Sequence, residues 1–424
     1  MMKRNPFPGT FTILSAIIFM TLLFSGCAET DKPSNSDKKI PEQTDTADIE
    51  TTDDAVNTDP SELQDNPNYK LKTIDMSKND KERLAEKVFT VMESCRSIYE
   101  EIETEDVYNV VLEENIVHRI IAQIAGEGFS VICGSRDGNM KNYERVDNCL
   151  KKAQKGKTAE TDFYSVNING IFRYYKLTFK EKRLYVTFVS ATYDKNGKPK
   201  VQQMEKIQAY AWEYTEKGWL IWEKALSRNP EMDMHIFYRI LPLPEKCWEI
   251  GEKCINPVNY FGNNLFLTDW DEGSMEKIEF NDLFDSLYLM ETGLKPEKER
   301  YERGIPGEEF ENIVGKYFHI TVEQLQQYAA YNEETGTYPW IAVNGWNRVP
   351  QMKPFPEVVS YTENADGTLS VCVEAIYVEE GRDCLFRHVV TLNQEENGDY
   401  KYLGNKIDWE NAYRVPAYKA RKDF

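Results

Sequence analysis

The first 27 residues constrain this chain more than any later stretch. Lys3 and Arg4 lead into a largely apolar run, Phe11–Phe24, which Ser25-Gly26-Cys27 closes. The run has the length of a signal core and falls short of the ~20 residues that a membrane-spanning helix needs. Small residues ahead of a cysteine fit the cleavage context of a bacterial lipoprotein signal, with the lipid carried on the Cys27 thiol. An ordinary secretory signal is the alternative. Both readings take residues 1–27 out of the folding problem and send the rest across the membrane. In the first, the chain sits lipid-anchored on the extracytoplasmic face of the cell membrane.

From Ala28 to Pro60 there is no aromatic residue, and Thr, Asp, Ser, Glu and Pro dominate. Such a composition cannot bury enough apolar surface to offset chain entropy, so residues 28–70 are expected to form a disordered acidic tether. Over the whole chain 71 acidic residues face 51 basic ones, a formal net charge of -20. That balance argues against nucleic acid as a partner, because phosphate binding draws on clustered Lys and Arg. It also opposes adsorption onto anionic surfaces. The expected partners are the membrane, reached through the lipid, and an envelope protein or a small ligand. No cofactor is expected, and calcium is the one ion the acidity would attract.

With Cys27 assigned to the anchor, seven cysteines remain, so at least one is unpaired even in an oxidising compartment. Cys247 with Cys254, Cys372 with Cys384, and Cys133 with Cys149 are the candidate pairs, and spacing does not choose among connectivities. Neither a CxxC nor a Cys/His cluster is present, which argues against zinc and redox sites. Cys95 falls on the apolar face of a helix, the usual setting of an inert buried thiol.

The rest divides into two globular halves, residues 71–242 and 243–424, each with helices first and strands after. In the first, Asn79 with Glu82 reads as a capping box ahead of Leu84, Val88, Val91, Cys95, Ile98 and Ile102 at helical spacing. Helices are expected over Glu113–Ala125 and Tyr143–Ala153. Strands are expected at Phe163–Ile168, Ile171–Phe179, Leu184–Tyr193, Ile207–Tyr214 and Trp219–Trp222, joined by Gly-containing turns. The second half repeats the plan. Helices are expected at Phe280–Met290 and Phe310–Phe318 and from a Thr321/Gln324 cap, then strands at Val358–Tyr361, Leu369–Tyr377, Leu385–Leu392 and Tyr400–Leu403. The expected class is α+β, two domains of helices packed on a bent antiparallel sheet. That plan resembles the cone of nuclear-transport-factor-2-like and cystatin-like domains, an analogy that carries no activity. Leu184-x-Val186 leading to Ala191-x-Tyr193 and Leu369-x-Val371 leading to Ala375-x-Tyr377 also echo one another, which suggests an internal duplication.

Several segments occur in a telling order. They are Met140–Val146 (MKNYERV), Gln208–Glu216 (QAYAWEYTE), Leu267–Trp270 (LTDW), Glu309-Phe310-Glu311, Pro356–Val359 (PEVV) and Ala365–Leu369 (ADGTL). Together they resemble a family of uncharacterised lipoproteins from clostridial and related Gram-positive bacteria, over most of the chain from about residue 80. The resemblance implies a surface lipoprotein and supplies no catalytic residues.

The most suggestive polar cluster is Asp269-Trp270-Asp271-Glu272, close to Asn263 and Asn264. Carboxylates around an aromatic suit a sugar or a calcium ion. The calcium-loop pattern fails, with Gly273 at the third ligand position and Phe280 where the bidentate Glu belongs. The structural reading is a loop that caps a helix beginning near Glu279. Trp212 and Tyr214 share a strand face that could line the concave side of a bent sheet, or simply pack in a core. Gly156-Lys157-Thr158 lacks the earlier glycine of a phosphate loop. His118, His235, His319 and His388 have no metal-ligand spacing, and Trp340 and Trp346 fall in a Pro-containing loop region. No catalytic residue is assigned. The expected function is non-catalytic binding at the cell envelope; the alternative is a glycan hydrolase using the acidic cluster.

Overall fold

Apolar residues at helical spacing build the first elements, and their caps are local. The computed structural model describes residues 70–99, 111–134, 139–194, 196–226, 234–344, 347, 350 and 352–421. The expected signal, Cys27, the expected tether up to residue 69 and Trp346 lie outside the described residues. Helix α1 (Lys78–Ser94) starts one residue after Ser77, whose hydroxyl accepts the Asp80 amide. The cap is therefore Ser77, and not the expected Asn79, because the hydroxyl satisfies one of the free amides of the first turn. A single turn, α2 (Arg96–Tyr99), leads on toward α3 (Glu114–Gly126), which buries the stripe Val117, Ile120, Ile121 and Ile124. Asn142, at a left-handed φ of 52°, donates its side-chain amide to the carbonyls of Ala125 and Phe129 and so closes the end of α3.

The first sheet comprises β1 (Lys72–Thr73), β2 (Val131–Cys133), β3 (Ala159–Val166), β4 (Phe172–Lys180), β5 (Arg183–Tyr193) and β6 (Pro199–Gln208), in the order β1-β6-β5-β4-β3-β2. Only β2 with β3 is parallel. Helices α1 and α3 cover one face through Tyr164, Phe172, Tyr174 and Val189. Helix α4 (Glu144–Gln154) and a three-stranded sheet, β7 (Ala211–Tyr214), β8 (Trp219–Glu223) and β9 (His235–Arg239), cover the other through Phe163, Tyr175, Leu177 and Val186.

The second half opens with α5 (Glu245–Ile250), which runs into a π-helical turn, Gly251–Ile255. Then come β10 (Trp270–Asp271), α6 (Phe280–Thr292), β11 (Ile305–Pro306), α7 (Gly307–Tyr317), α8 (Val322–Tyr328) and β12 (Thr337–Tyr338), with β11 paired to β12. The last meander is β13 (Phe355–Glu363), β14 (Leu369–Ile376), β15 (Arg387–Gln394) and β16 (Tyr400–Ile407), and its sheet order is β10-β16-β15-β14-β13. The capping box of Thr321 with Gln324 is present at α8. Both large sheets are four-stranded meanders whose last strand also takes a two-residue antiparallel strand from ahead of the helices, β1 on β6 and β10 on β16. One core spans Cys247 to Ile407, two others lie within Val88 to Ile240, and a small cluster of Trp219, Ile221, Phe355 and Ile376 joins them. Residues Pro67–Phe424 form one compact unit. No helix among the described residues is long and apolar enough to cross a membrane.

The expected strand Ile207–Tyr214 is two strands in different sheets. The Ala209 amide donates to Leu184 and the Tyr210 amide to Glu223, so the backbone changes partner within one residue. Strands β6 and β9 were not expected, and β6 in particular is rich in Lys and Gln because it is an edge along most of its length.

None of the seven cysteines Cys95, Cys133, Cys149, Cys247, Cys254, Cys372 and Cys384 is in a disulfide, which corrects all three candidate pairs. Cys247 and Cys254 lie two helical turns apart, ~10 Å along the axis, against a Cα reach of ~7 Å. Cys133 and Cys149 belong to cores on opposite faces of the first sheet. Cys372 sits opposite Val389, whereas Cys384 precedes the start of β15, so several strand residues separate them. Burial pushes the Cys95 and Cys149 thiols up to about 11.

We expect seven alkylated cysteines after denaturation with or without reductant, read by intact mass of a Cys27→Ala chain. Two cysteines left without an alkyl group per pair in the unreduced sample would contradict the fold.

Candidate functional site

The acidic run does not converge. Trp270 and Asp271 form β10, opposite Asn405 and Gly404 of β16. The Asp269 carboxylate accepts the Ile407 amide at 2.8 Å and the Trp409 indole at 3.1 Å, and pairs with Lys406. Burial raises its affinity for a proton, but these donors outweigh it and hold the carboxyl below its usual range. Trp270 is buried, with its indole N–H donating to Leu265 at 2.9 Å. Asp271 accepts from the Gly273 amide and the Ser274 hydroxyl of its own turn, and Glu272 lies 3.2 Å from His319. Nor does the run cap the next helix. Asn264 does, accepting the Glu279 amide and donating to the Lys277 carbonyl. Among the described residues no group of three or more His, Cys, Asp or Glu could hold a metal ion.

Trp212 and Tyr214 are fastened by packing. The Trp212 indole donates to the Lys182 carbonyl, at a turn where Glu181 and Lys182 both take positive φ, and its ring lies 4.7 Å from that of Phe179. Tyr214 is buried, and its hydroxyl donates to Asp147 on α4 at 2.7 Å.

A different constellation lies where the two halves meet. Glu357 of β13 and Glu374 of β14 are directly opposite across the strand pair, and both are buried. The first half supplies their cations and a donor. Arg239 at the end of β9 pairs with Glu357, whose carboxylate also accepts the Trp219 indole at 3.3 Å. Lys217, from the turn before β8, lies 2.6 Å from Glu374, which Arg387 also engages. Asp383 lies 3.8 Å from Lys217. Two like charges taken out of water beside each other cannot both ionise freely. Burial therefore pushes Glu357 up to about 7, against the opposing pull of Arg239. Burial lowers Lys217, but its bond to Glu374 outweighs that and raises it.

Beside this seam is a half-open recess walled by Asn139, Leu243, Cys247, Trp248, Asn256 and Glu357, with a volume of about 30 Å³. That admits a few waters. The arrangement can clasp the halves and hold a proton near neutrality. Five strands and two turns supply its residues, so no motif announces it. The one signal in the sequence is a glutamate at an inward strand position in each of β13 and β14.

A second buried network involves one of the four scattered histidines. His388, with no exposed surface, lies 2.9 Å from the Tyr260 hydroxyl at Nε2 and 2.6 Å from the Asn405 side-chain oxygen at Nδ1. Asn405 in turn donates to the Thr268 carbonyl. An amide oxygen only accepts, so Nδ1 carries the ring proton and Nε2 accepts from the phenol. Burial lowers His388 to about 4, which keeps the ring neutral.

These features define a mixed α+β protein whose two helix-on-sheet halves share buried ion pairs. Residues 81–421 match the model of a family of unknown function, DUF6070, and the chain belongs to that family. No curated protein and no solved structure matches it.

Proposed function

We propose that this is a lipid-anchored protein on the extracytoplasmic face of the cell membrane, acting there by binding an envelope protein or small ligand, without turnover. The basic start, the apolar run Phe11–Phe24 and Cys27 support the anchor, and the acidic stretch after it supports a tether. The lipoprotein character and clostridial range of the family are part of the same reading. The observation that carries the non-catalytic part is the state of the acidic run: Asp269 is held by three donors of the C-terminal segment, Asp271 by its own turn. Carboxylates spent on structure are poorly placed for acid–base work on a glycan. The separate cores on either side of about residue 242 support two domains, each of the cone type. Calcium enters only as a diffuse counter-ion.

The test is fractionation of cells making the wild type and Cys27→Ala. The wild type is expected in the membrane fraction and labelled by a fatty-acid analogue, the variant unlabelled and released. Unlabelled wild type, or membrane retention of the variant, would refute the anchor. The non-catalytic reading is tested separately on purified protein with cell-wall glycan. Release of reducing ends that Asp269→Asn or Asp271→Asn abolishes would establish the hydrolase in its place.

A further inference from the structure

The face of the first sheet that packs under α4 changes character along its strands. Cross-strand partners in an antiparallel sheet share a face, so the register gives its rows. One row is Thr161, Leu177, Val186 and Ile207, and the next is Phe163, Tyr175, Phe188 and Glu205. The third is Ser165, Arg173, Ser190 and Gln203, with Ile132 of β2 beside Ser165. The first two rows supply the core beneath α4 and β7–β9. The third row is polar: Ser165, at 0%, and Ser190 are buried, Arg173 is half-buried and Gln203 is exposed.

Three observations make this polar end more than a solvated strand end. The Ser165 hydroxyl is fully buried and has no hydrogen-bond partner, although it lies directly opposite Arg173. A buried hydroxyl left unpaired is costly, and a native site that keeps one needs a reason. The Arg173 guanidinium, with five donors, has one long contact, 3.5 Å to the Asn167 side chain. The Glu205 side chain is half-buried, with no hydrogen bond or ion pair among the described residues. Tyr175, two residues after Arg173 on β4, accepts from the Tyr238 hydroxyl at 3.0 Å. Burial and Tyr238 raise Tyr175, and beyond those Arg173 lowers it while Glu205 raises it, so both charges act on this one hydroxyl.

We infer that the polar end of this face binds a small amphoteric molecule, its carboxylate on Arg173 with the Ser165 and Ser190 hydroxyls, its ammonium group on Glu205. Arginine suits a carboxylate because its fork presents parallel donors. The size of the ligand follows from the lattice of the sheet. Two strand spacings of ~4.8 Å and one two-residue step of ~6.7 Å set the Cα positions of Arg173 and Glu205 about 12 Å apart. A span of that size takes an amino acid and not a folded peptide or a glycan, with Arg173 turning from its long contact with Asn167 to meet it. Phe188 and Tyr175, tilted against each other with centroids 5.1 Å apart, form an aromatic floor for its apolar part. The inference is independent of whether Cys27 carries a lipid.

The experiment is calorimetric titration of the detergent-solubilised full chain with a panel of free L-amino acids, with acetate and methylamine as single-charge probes. At least one amino acid is expected to bind at least tenfold more tightly than either single-charge probe. Arg173→Met is expected to weaken that amino acid at least tenfold and Glu205→Gln severalfold. Ser165→Ala removes the unpaired hydroxyl, so it is expected to leave the unfolding midpoint unchanged or raised while affinity falls. That opposition separates a ligand contact from a structural role. No binding by the panel at millimolar concentration, acetate binding as tightly as any amino acid, or affinities untouched in folded Arg173→Met and Glu205→Gln would overturn the proposal.

Discussion

Arg421→Ala is expected to destabilise the protein by about 3–5 kcal/mol, the usual loss when one partner of a buried ion pair is removed. Arg421, the last described residue, packs its side chain, 1% exposed, against α6. Its Nε donates to Asp282 at 2.9 Å, its Nη1 to Asp285 at 2.6 Å and to the Ile341 carbonyl at 2.7 Å, and its Nη2 to the Asp282 carbonyl at 2.7 Å. Asp282 is itself buried and also accepts the Tyr418 hydroxyl and the Arg421 amide. Without the guanidinium, Asp282 becomes a buried charge with no counter-charge, and the segment after β16 loses its attachment to α6. Lysine cannot reproduce the fork, so Arg421→Lys should fall between the wild type and alanine. Adding Asp282→Asn to Arg421→Ala should recover part of the loss, because the stranded charge is gone. Urea unfolding measures all four proteins. A loss below about 1 kcal/mol for Arg421→Ala would place this clasp among ordinary surface pairs.

What the sequence reveals about this fold is what is encoded locally. Thr321 and Gln324 satisfy each other's amides within one turn, so the start of α8 is visible in four residues. The turn at Asn397-Gly398 is visible for the same reason, since Gly398 takes a φ of +84° that other residues avoid. Partner changes are not local. Nothing in Ile207–Tyr214 marks Ala209 as the point where the backbone leaves β5 for β8, because both strands offer the same pattern of carbonyls. The same distinction explains the site residues. Asp269, Asp271 and Glu272 attract notice because they adjoin in sequence, yet each answers to a different neighbour. Glu357 and Glu374 are separated by a turn and become adjacent only through the β13–β14 register, and their cations come from the other half of the chain. Ser165, Arg173 and Ser190 likewise share a face only once three strands are aligned.

Glu357→Gln and His388→Gln are expected to tilt the pH dependence of stability in opposite directions, by about 1.4 kcal/mol per pH unit each, the value of one pKa unit. His388 is held near 4 in the fold and returns to an ordinary 6.5 when unfolded. Between those values the unfolded chain binds the extra proton, so stability is lost as pH falls from 6.5 to 4. Glu357 is held near 7 in the fold against an ordinary 4.5. Between those values the folded chain keeps the proton, so stability is lost as pH rises from 4.5 to 7. In the wild type the two contributions oppose each other across pH 4.5–6.5 and largely cancel. Glu357→Gln keeps a hydrogen-bond acceptor for Arg239 but removes the titration, which leaves stability rising with pH in that window. His388→Gln removes the other titration and leaves it falling. Urea unfolding at half-unit pH steps reads the slopes, which an overall destabilisation of either variant does not disturb. Identical slopes in all three proteins would mean that neither group titrates as its burial dictates. Slopes of the opposite sign would place the neutral and charged forms the wrong way round.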